Sequence, residues 1–189
     1  MTRASSRTSY FEPSRAEVAR TALSDRARGA ELLFDRYERK VNHLVERLLS
    51  ADHDHDDVVQ DIFCNIIGRI TTLRDAEKLE HWVHAVIVNT CHAERRKRQV
   101  RRRFLASQTS EPRLGDLTRD VETRDLLERT HRLLRRMPLR ERTVFVLHHA
   151  EGHTLSEVSE LCSFSLATAK RRLASANRRF SKMVRREMR

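Results

Sequence analysis

Two short stretches carry side chains that could do metal or hydrolytic chemistry. "ADHDHDD" (Ala51 to Asp57) alternates carboxylates and imidazoles, and "HHAEGH" (His148 to His153) gathers three histidines around a glutamate. Neither has the order that such chemistry needs. The first sits at a helix start, where acids suit the positive end of the helix dipole, and no matching ligand set occurs elsewhere. The second is not H-E-x-x-H, and Gly152 should end the helix between His149 and His153. A metal-dependent hydrolase is therefore the weaker reading. No cofactor, no catalytic constellation and no small-molecule substrate is expected, so the chain is read as a non-enzyme.

The third stretch is of another kind. "HWVHAVIVNTCHAERRKRQVRRR" (His81 to Arg103) opens with the only Trp in an apolar run and passes into a dense basic block. A solvated helix end would account for the charge. It would not account for Trp82 and Asn89 on the approach to it. The whole chain is basic as well. Lys and Arg number 38 against 27 Asp and Glu, a net charge of +11. That excess favours a polyanionic partner such as nucleic acid or an acidic membrane surface.

The elements that would carry these residues are helices. Gly (4) and Pro (3) are too few for a turn-rich sandwich or barrel, while Leu, Arg, Glu and Ala are abundant. Cys64, Cys91 and Cys162 are far apart and form no CxxC pair, so they read as free thiols in a reducing compartment. No apolar run is long enough to span a bilayer, and no signal-peptide core follows Met1. The expectation is a cytoplasmic, all-α protein without membrane insertion. It comprises two small helical domains joined by a flexible linker.

Residues 1–26 read as a mobile tail with a short helix near Ala16 to Leu23. Its Arg and Ser content suits a transit peptide, but Glu12, Glu17 and Asp25 count against that. The first domain is placed at residues 27–100. One helix carries Leu33, Tyr37, Val41, Leu44, Val45 and Leu48 at helical spacing. A second, about Asp56 to Ile70, buries Val59, Ile62, Phe63, Ile66, Ile67 and Ile70 and turns Asp57, Gln60, Asp61 and Asn65 outward. A third starts near Lys78. Residues 101–120, with "ASQTSEPRLGD", read as the linker.

The second domain, 121–189, predicts a helix from Val121 to Met137 and another from Leu139 to Ala150, with Gly152 as its C-terminal cap. Two further helices are joined by Ser163-Phe164-Ser165. Thr154-x-x-Glu157 spells a capping box, and Ser165 is a good N-cap. This is the pattern of a helix-turn-helix. On the last helix Ala169, Leu173, Ala176 and Phe180 should pack inward. Thr168, Arg171, Ser175 and Arg178 then face out, flanked by Lys170 and Arg172, suited to groove edges and phosphates.

Three of these stretches together resemble the extracytoplasmic-function group of bacterial sigma factors. "DHDDVVQDIF" (Asp54 to Phe63) is similar to that family's core-polymerase-binding helix. "WVHAVIVNT" (Trp82 to Thr90) is similar to its promoter-melting helix, with Trp and Asn seven apart. "MPLRERTVFVLHHAEGHTLSEVSELCSFSLATAKRRL" is similar to its −35-reading domain. The resemblance covers about Ala30 to Phe180. It implies core RNA polymerase, promoter DNA and an anti-sigma factor as partners. It assigns polymerase binding to Asp57, Gln60, Asp61 and Asn65. It assigns −10 recognition and melting to Trp82, Asn89, His92, Arg95, Arg96 and Lys97, with Asn89 reading a base flipped from the stack and the loop Leu73 to Leu79 as the other wall. Contact with −35 falls to Ser165, Thr168, Lys170, Arg171, Arg172, Ser175 and Arg178. The alternative is a stand-alone helix-turn-helix regulator, which leaves the first domain without a task.

The chain departs from the family pattern at Ala85 and Val88, where Arg is frequent, at Ala174, Ser175 and Asn177, and at Ser163, where the turn usually holds Gly. A non-glycine residue at positive φ costs on the order of 1 kcal/mol. A reshaped turn is the expected way around that cost.

Overall fold

The computed structural model describes residues 13–49, 54–104 and 121–187. Among them are eight α-helices, two short 3₁₀ turns and no strand. The first domain holds α1 (Arg15–Ser24), α2 (Arg26–Leu49), α3 (His55–Arg69) and α4 (Leu79–Phe104), with the 3₁₀ turns Ile70–Thr72 and Ala76–Lys78 between the last two. The second holds α5 (Val121–Arg135), α6 (Leu139–His149), α7 (Leu155–Leu161) and α8 (Leu166–Glu187).

The expected apolar stripe of α2 is the core stripe. Leu33, Tyr37, Val41, Leu44, Val45 and Leu48 are all buried. On α3 the buried row is Val58, Ile62, Phe63 and Ile66, continued by Ile70 in the first 3₁₀ turn, so Val58 takes the place expected for Val59, and Ile67 is only half-buried. From α4 come Leu79, Val83, Val86, Ile87, Val88 and Cys91. Burial holds the Cys91 thiol up at about 12, well away from a reactive thiolate.

The short helix expected near Ala16 to Leu23 is α1, and it is packed on the domain rather than part of a mobile tail. A capping box starts α1: Ser14 Oγ accepts from Glu17 N (3.2 Å), and Glu17 Oε2 accepts from Ser14 N (2.7 Å). Val18, Ala19 and Ala22 are buried against the domain. The crossing onto α2 requires Gly29, because a Cβ there would lie 2.2 Å from Ala22 Cα. Residues 1–12 lie outside the described residues. At the other end of the domain, α4 runs to Phe104, past the expected boundary at 100, and linker residues 105–120 lie outside the described residues.

The two domains are docked. Helices α5 and α6 pack on α2, and α7 packs on α4. Arg142 on α6 is 5% exposed, and its guanidinium crosses this seam. It donates to Leu48 O in the last turn of α2 (2.8 Å), and to Arg135 O (2.8 Å) and Met137 O (3.1 Å) where α5 ends. Carbonyls in a last helical turn lack intrahelical partners, so one cation closes two helix ends.

Candidate nucleic-acid and protein interfaces

The acidic face of α3 is as the sequence predicts. Asp57, Gln60 and Asp61 are exposed, and Phe63 is buried with its ring 4.8 Å from that of Phe34. Asn65 is only half-exposed. Its Nδ2 donates to Asp61 O (2.9 Å) and toward Thr90 Oγ1 (3.4 Å), so it ties α3 to α4. Residues 51–53 lie outside the described residues, while His55 and Asp54, which precede this face, are engaged within the protein. His55 Nε2 bonds Asn42 Oδ1 (2.9 Å), and Asp54 lies 3.7 Å from Arg98. Among the described residues no group of three or more His, Cys, Asp or Glu is placed to hold a metal ion.

On α4, Asn89 is exposed directly after the buried Val86, Ile87 and Val88. Its backbone is therefore fixed by the core while its amide faces outward, ready to donate and accept. Trp82 is half-buried, and its Nε1 donates to Thr72 Oγ1 (3.2 Å) in the first 3₁₀ turn. The loop from Leu73 is anchored by that buried leucine, and Asp75 Oδ1 accepts from Glu77 N (3.0 Å) to start the second turn. Arg74, Glu77 and Lys78 are exposed on it.

The basic block is uneven. Arg96 and Lys97 are exposed and Arg95 half-buried, while Arg98 is held by Glu94 (3.1 Å) and Asp54. His92 departs from its expected DNA face. It points into the seam, where Nε2 meets Thr143 Oγ1 at 3.0 Å. The Thr143 hydroxyl donates to Leu139 O (2.8 Å), so His92 Nε2 is the donor. Burial, reinforced by Arg140, Arg96 and Arg172, holds this imidazole down at about 4.

The helix-turn-helix keeps its shape without the glycine. Ser163 takes φ +53°, its N–H donates to Glu160 O (3.1 Å), and Phe164 N donates to Ser159 O (2.9 Å). The turn is not reshaped; it carries the backbone strain. The Thr154–Glu157 capping box is present, and Ser165 Oγ accepts from Thr168 N (3.2 Å) as the N-cap of α8. Gly152 has φ +76° in the turn just beyond α6.

Ala169, Leu173 and Ala176 are buried, with Phe180 half-buried, so the inward stripe of α8 stands. The outward face is shifted from the one expected. Ser175 turns toward α6 and donates to Glu141 Oε1 (3.1 Å), and Glu141 also takes Arg179 (2.7 Å). The Arg172 guanidinium lies 3.8 Å over the Phe164 ring, and the Thr168 hydroxyl is bonded to Ser165 (2.9 Å). Lys170, Arg171 and Arg178 are exposed as expected.

The seam itself was missed by sequence reasoning. His84, 2% exposed, bonds His153 Nε2 through its Nδ1 at 2.7 Å, and His153 O meets His148 Nδ1 at 2.8 Å. Of the "HHAEGH" histidines, His153 is the joint residue between the domains, and His148 holds its backbone. The available signal was a polar side chain on an apolar helix face: His84 beside Val83, and Arg142 beside Thr143 and Val144.

Comparison with known proteins bears on both halves. The sequence model for sigma-70 region 2 matches residues 33–101, and that for sigma-70 region 4 matches residues 127–179. The chain is similar to the ECF RNA polymerase sigma-E factor of Haemophilus influenzae, 26% identical over 155 residues, 77% of this chain and 82% of that protein. Its fold is similar to CnrH in complex with the cytosolic domain of CnrY (TM-score 0.63, 19% identity, 90% of this chain and 96% of the other). It is also similar to the sigma factor RpoE in complex with the anti-sigma factor NepR from Bartonella quintana (TM-score 0.68, 16% identity, 82% and 96%). A region-2 match as well as a region-4 match leaves no support for a stand-alone helix-turn-helix regulator. With both regions present in order on an all-helical frame, the chain belongs to the sigma-70 family, as an alternative sigma factor of the extracytoplasmic-function group that directs transcription initiation.

Proposed function

We propose that α3 docks on core RNA polymerase, that α4 captures the −10 element as it opens, and that α8 reads the −35 element. The observation that carries this division of labour is Asn89, an exposed amide on backbone that the core makes rigid. A flipped base needs an edge-reader that does not move, because unstacking costs a few kcal/mol that pocket contacts must offset. Trp82 and the loop from Leu73 supply apolar and polar wall, and Arg96 and Lys97 hold phosphates without sequence choice. Asp57, Gln60 and Asp61 offer polymerase an acidic, hydrogen-bonding patch, with Asn65 positioning α3 against α4. His92, Arg172 and Ser175 act by positioning.

The protein is not an enzyme in this reading; the polymerase does the chemistry, in the cytoplasm. No helix among the described residues is long and apolar enough to cross a membrane. The docked domains are the storage form. At about 3.4 Å per base pair, elements about 25 base pairs apart lie roughly 85 Å apart. Domains joined through His92–Thr143 and His84–His153 contacts do not reach both, so the seam parts on promoter binding. One structural neighbour is a complex with the anti-sigma factor NepR and another a complex with the cytosolic domain of CnrY, which supports an anti-sigma partner for the docked form here.

The test is permanganate footprinting of a promoter with reconstituted holoenzyme. Asn89→Ala should leave polymerase assembly and −35 binding intact and lose opening at −10, with partial rescue on a pre-melted bubble. Opening of linear promoters at the wild-type level sinks the assignment of Asn89.

A further inference from the structure

Five residues of α8 form one exposed face: Leu166, Ala167, Lys170, Arg171 and Ala174, spaced i, i+1, i+4, i+5 and i+8. Leu166 is 43% exposed, one of few large apolar side chains so placed among the described residues. It is the first residue after the Ser165 N-cap. In a helix-turn-helix the N-terminal residues of this helix lie deepest in the major groove, against base edges.

What surrounds that face narrows the chemistry. The neutral polar side chains of the helix's first half are engaged within the protein: Thr168 with Ser165, and Ser175 with Glu141. Asn177, further along, bonds His149 Nε2 (3.0 Å). The face therefore offers no amide for the bidentate adenine contact and no carboxylate for cytosine. It offers two cations, which match guanine O6 and N7, and apolar carbon, which matches the one apolar group in the groove, the thymine C5 methyl.

Resting on the assignment of α8 to the −35 element, we infer that Leu166 and Ala167 read a thymine methyl there, beside a guanine read by Arg171 with Lys170. Enclosing the leucine against the methyl removes both from water, and affinity at that base pair then depends on a single carbon.

Holoenzyme is used to select duplexes randomised across −35. The expected product fixes a T·A pair next to a G·C pair. Each selected thymine is then replaced singly by deoxyuridine, which deletes only the methyl. One replacement should weaken competitive binding about fourfold, the effect of one buried methyl group. In Leu166→Ala that same replacement should become neutral, while Leu166→Met keeps part of the effect. Unchanged melting temperatures confirm that both variants are folded. The inference is overturned if every deoxyuridine duplex binds like its thymine parent, or if the loss persists undiminished in Leu166→Ala combined with Ala167→Gly. No selection at −35 at all overturns both this inference and the assignment of α8 on which it rests.

Discussion

The core of the first domain and the seam between the domains are both buried, yet they are built from different chemistry. In the core, Val41, Leu44, Val45, Ile62, Ile66, Val83 and Ile87 are each 0% exposed, and they meet through carbon alone. Across the seam, apolar contact is interleaved with Arg142 on Leu48 O, His92 on Thr143, His84 on His153, Arg47 on Glu151 and His131 on Glu46. Apolar contacts have no substitute in water, whereas each polar seam contact can be exchanged for hydration at a net cost of about 1 kcal/mol. The core therefore resists opening more than the seam does, as the proposed parting of the seam on promoter binding requires.

The largest effect should come from the core. Leu44→Ala is expected to cost about 3 kcal/mol by removing buried carbon and leaving a cavity, read as a lower urea midpoint with unchanged slope. At the seam, Arg142→Met should cost about 2 kcal/mol, since it leaves three carbonyls without their donor. It should also lengthen the distance between fluorescent probes on the two domains, which Leu44→Ala should not do below its unfolding range. Equal probe distances in Arg142→Met and wild type would mean that apolar contact alone holds the seam.

Next is pH. Burial, with Lys40 and His153 adding repulsion against the opposing pull of Glu80, lowers His84 from 6.5 to about 3. A histidine whose folded pKa is depressed binds its proton better once the seam opens or the chain unfolds. The docked state therefore has its full stability above pH 6.5 and loses it as pH falls from 6.5 toward 3. At pH 5.5 the loss from His84 alone should be about 1 kcal/mol, and His92, held at about 4, works in the same direction. A titration of the inter-domain probe distance should show opening on acidification, and His84→Gln should flatten it. An identical titration in that variant excludes His84 as the group responsible. The smallest effect belongs to Arg47→Gln. The pair is 2.7 Å apart, but the Arg47 side chain is 30% exposed. About 0.5 kcal/mol is expected, fading in high salt.

Much of this molecule could be read along the chain because the governing interactions are local. The Thr154–Glu157 capping box, the Ser165 N-cap, the stripes of α2 and α8 and the exposed Asp57, Gln60 and Asp61 all follow from spacing over a few residues. A side chain's helical face is set by a period of 3.6 residues, and a cap by the three residues after it.

What the sequence by itself determined is thus the set of helices, their apolar faces, and the family order of its motifs. Tertiary structure decided which outward-looking polar residues remain outward. It docked α1 through the Ala22–Gly29 crossing, turned His92 to Thr143 and Ser175 to Glu141, joined His84 to His153 across 69 positions, and sent Arg142 to a carbonyl 94 positions away. Periodicity places a residue on a face of its own helix, but only the docking of whole helices decides whether that face meets water or another buried polar group. The free energy of such a residue depends on its partner, and the partner is remote in sequence.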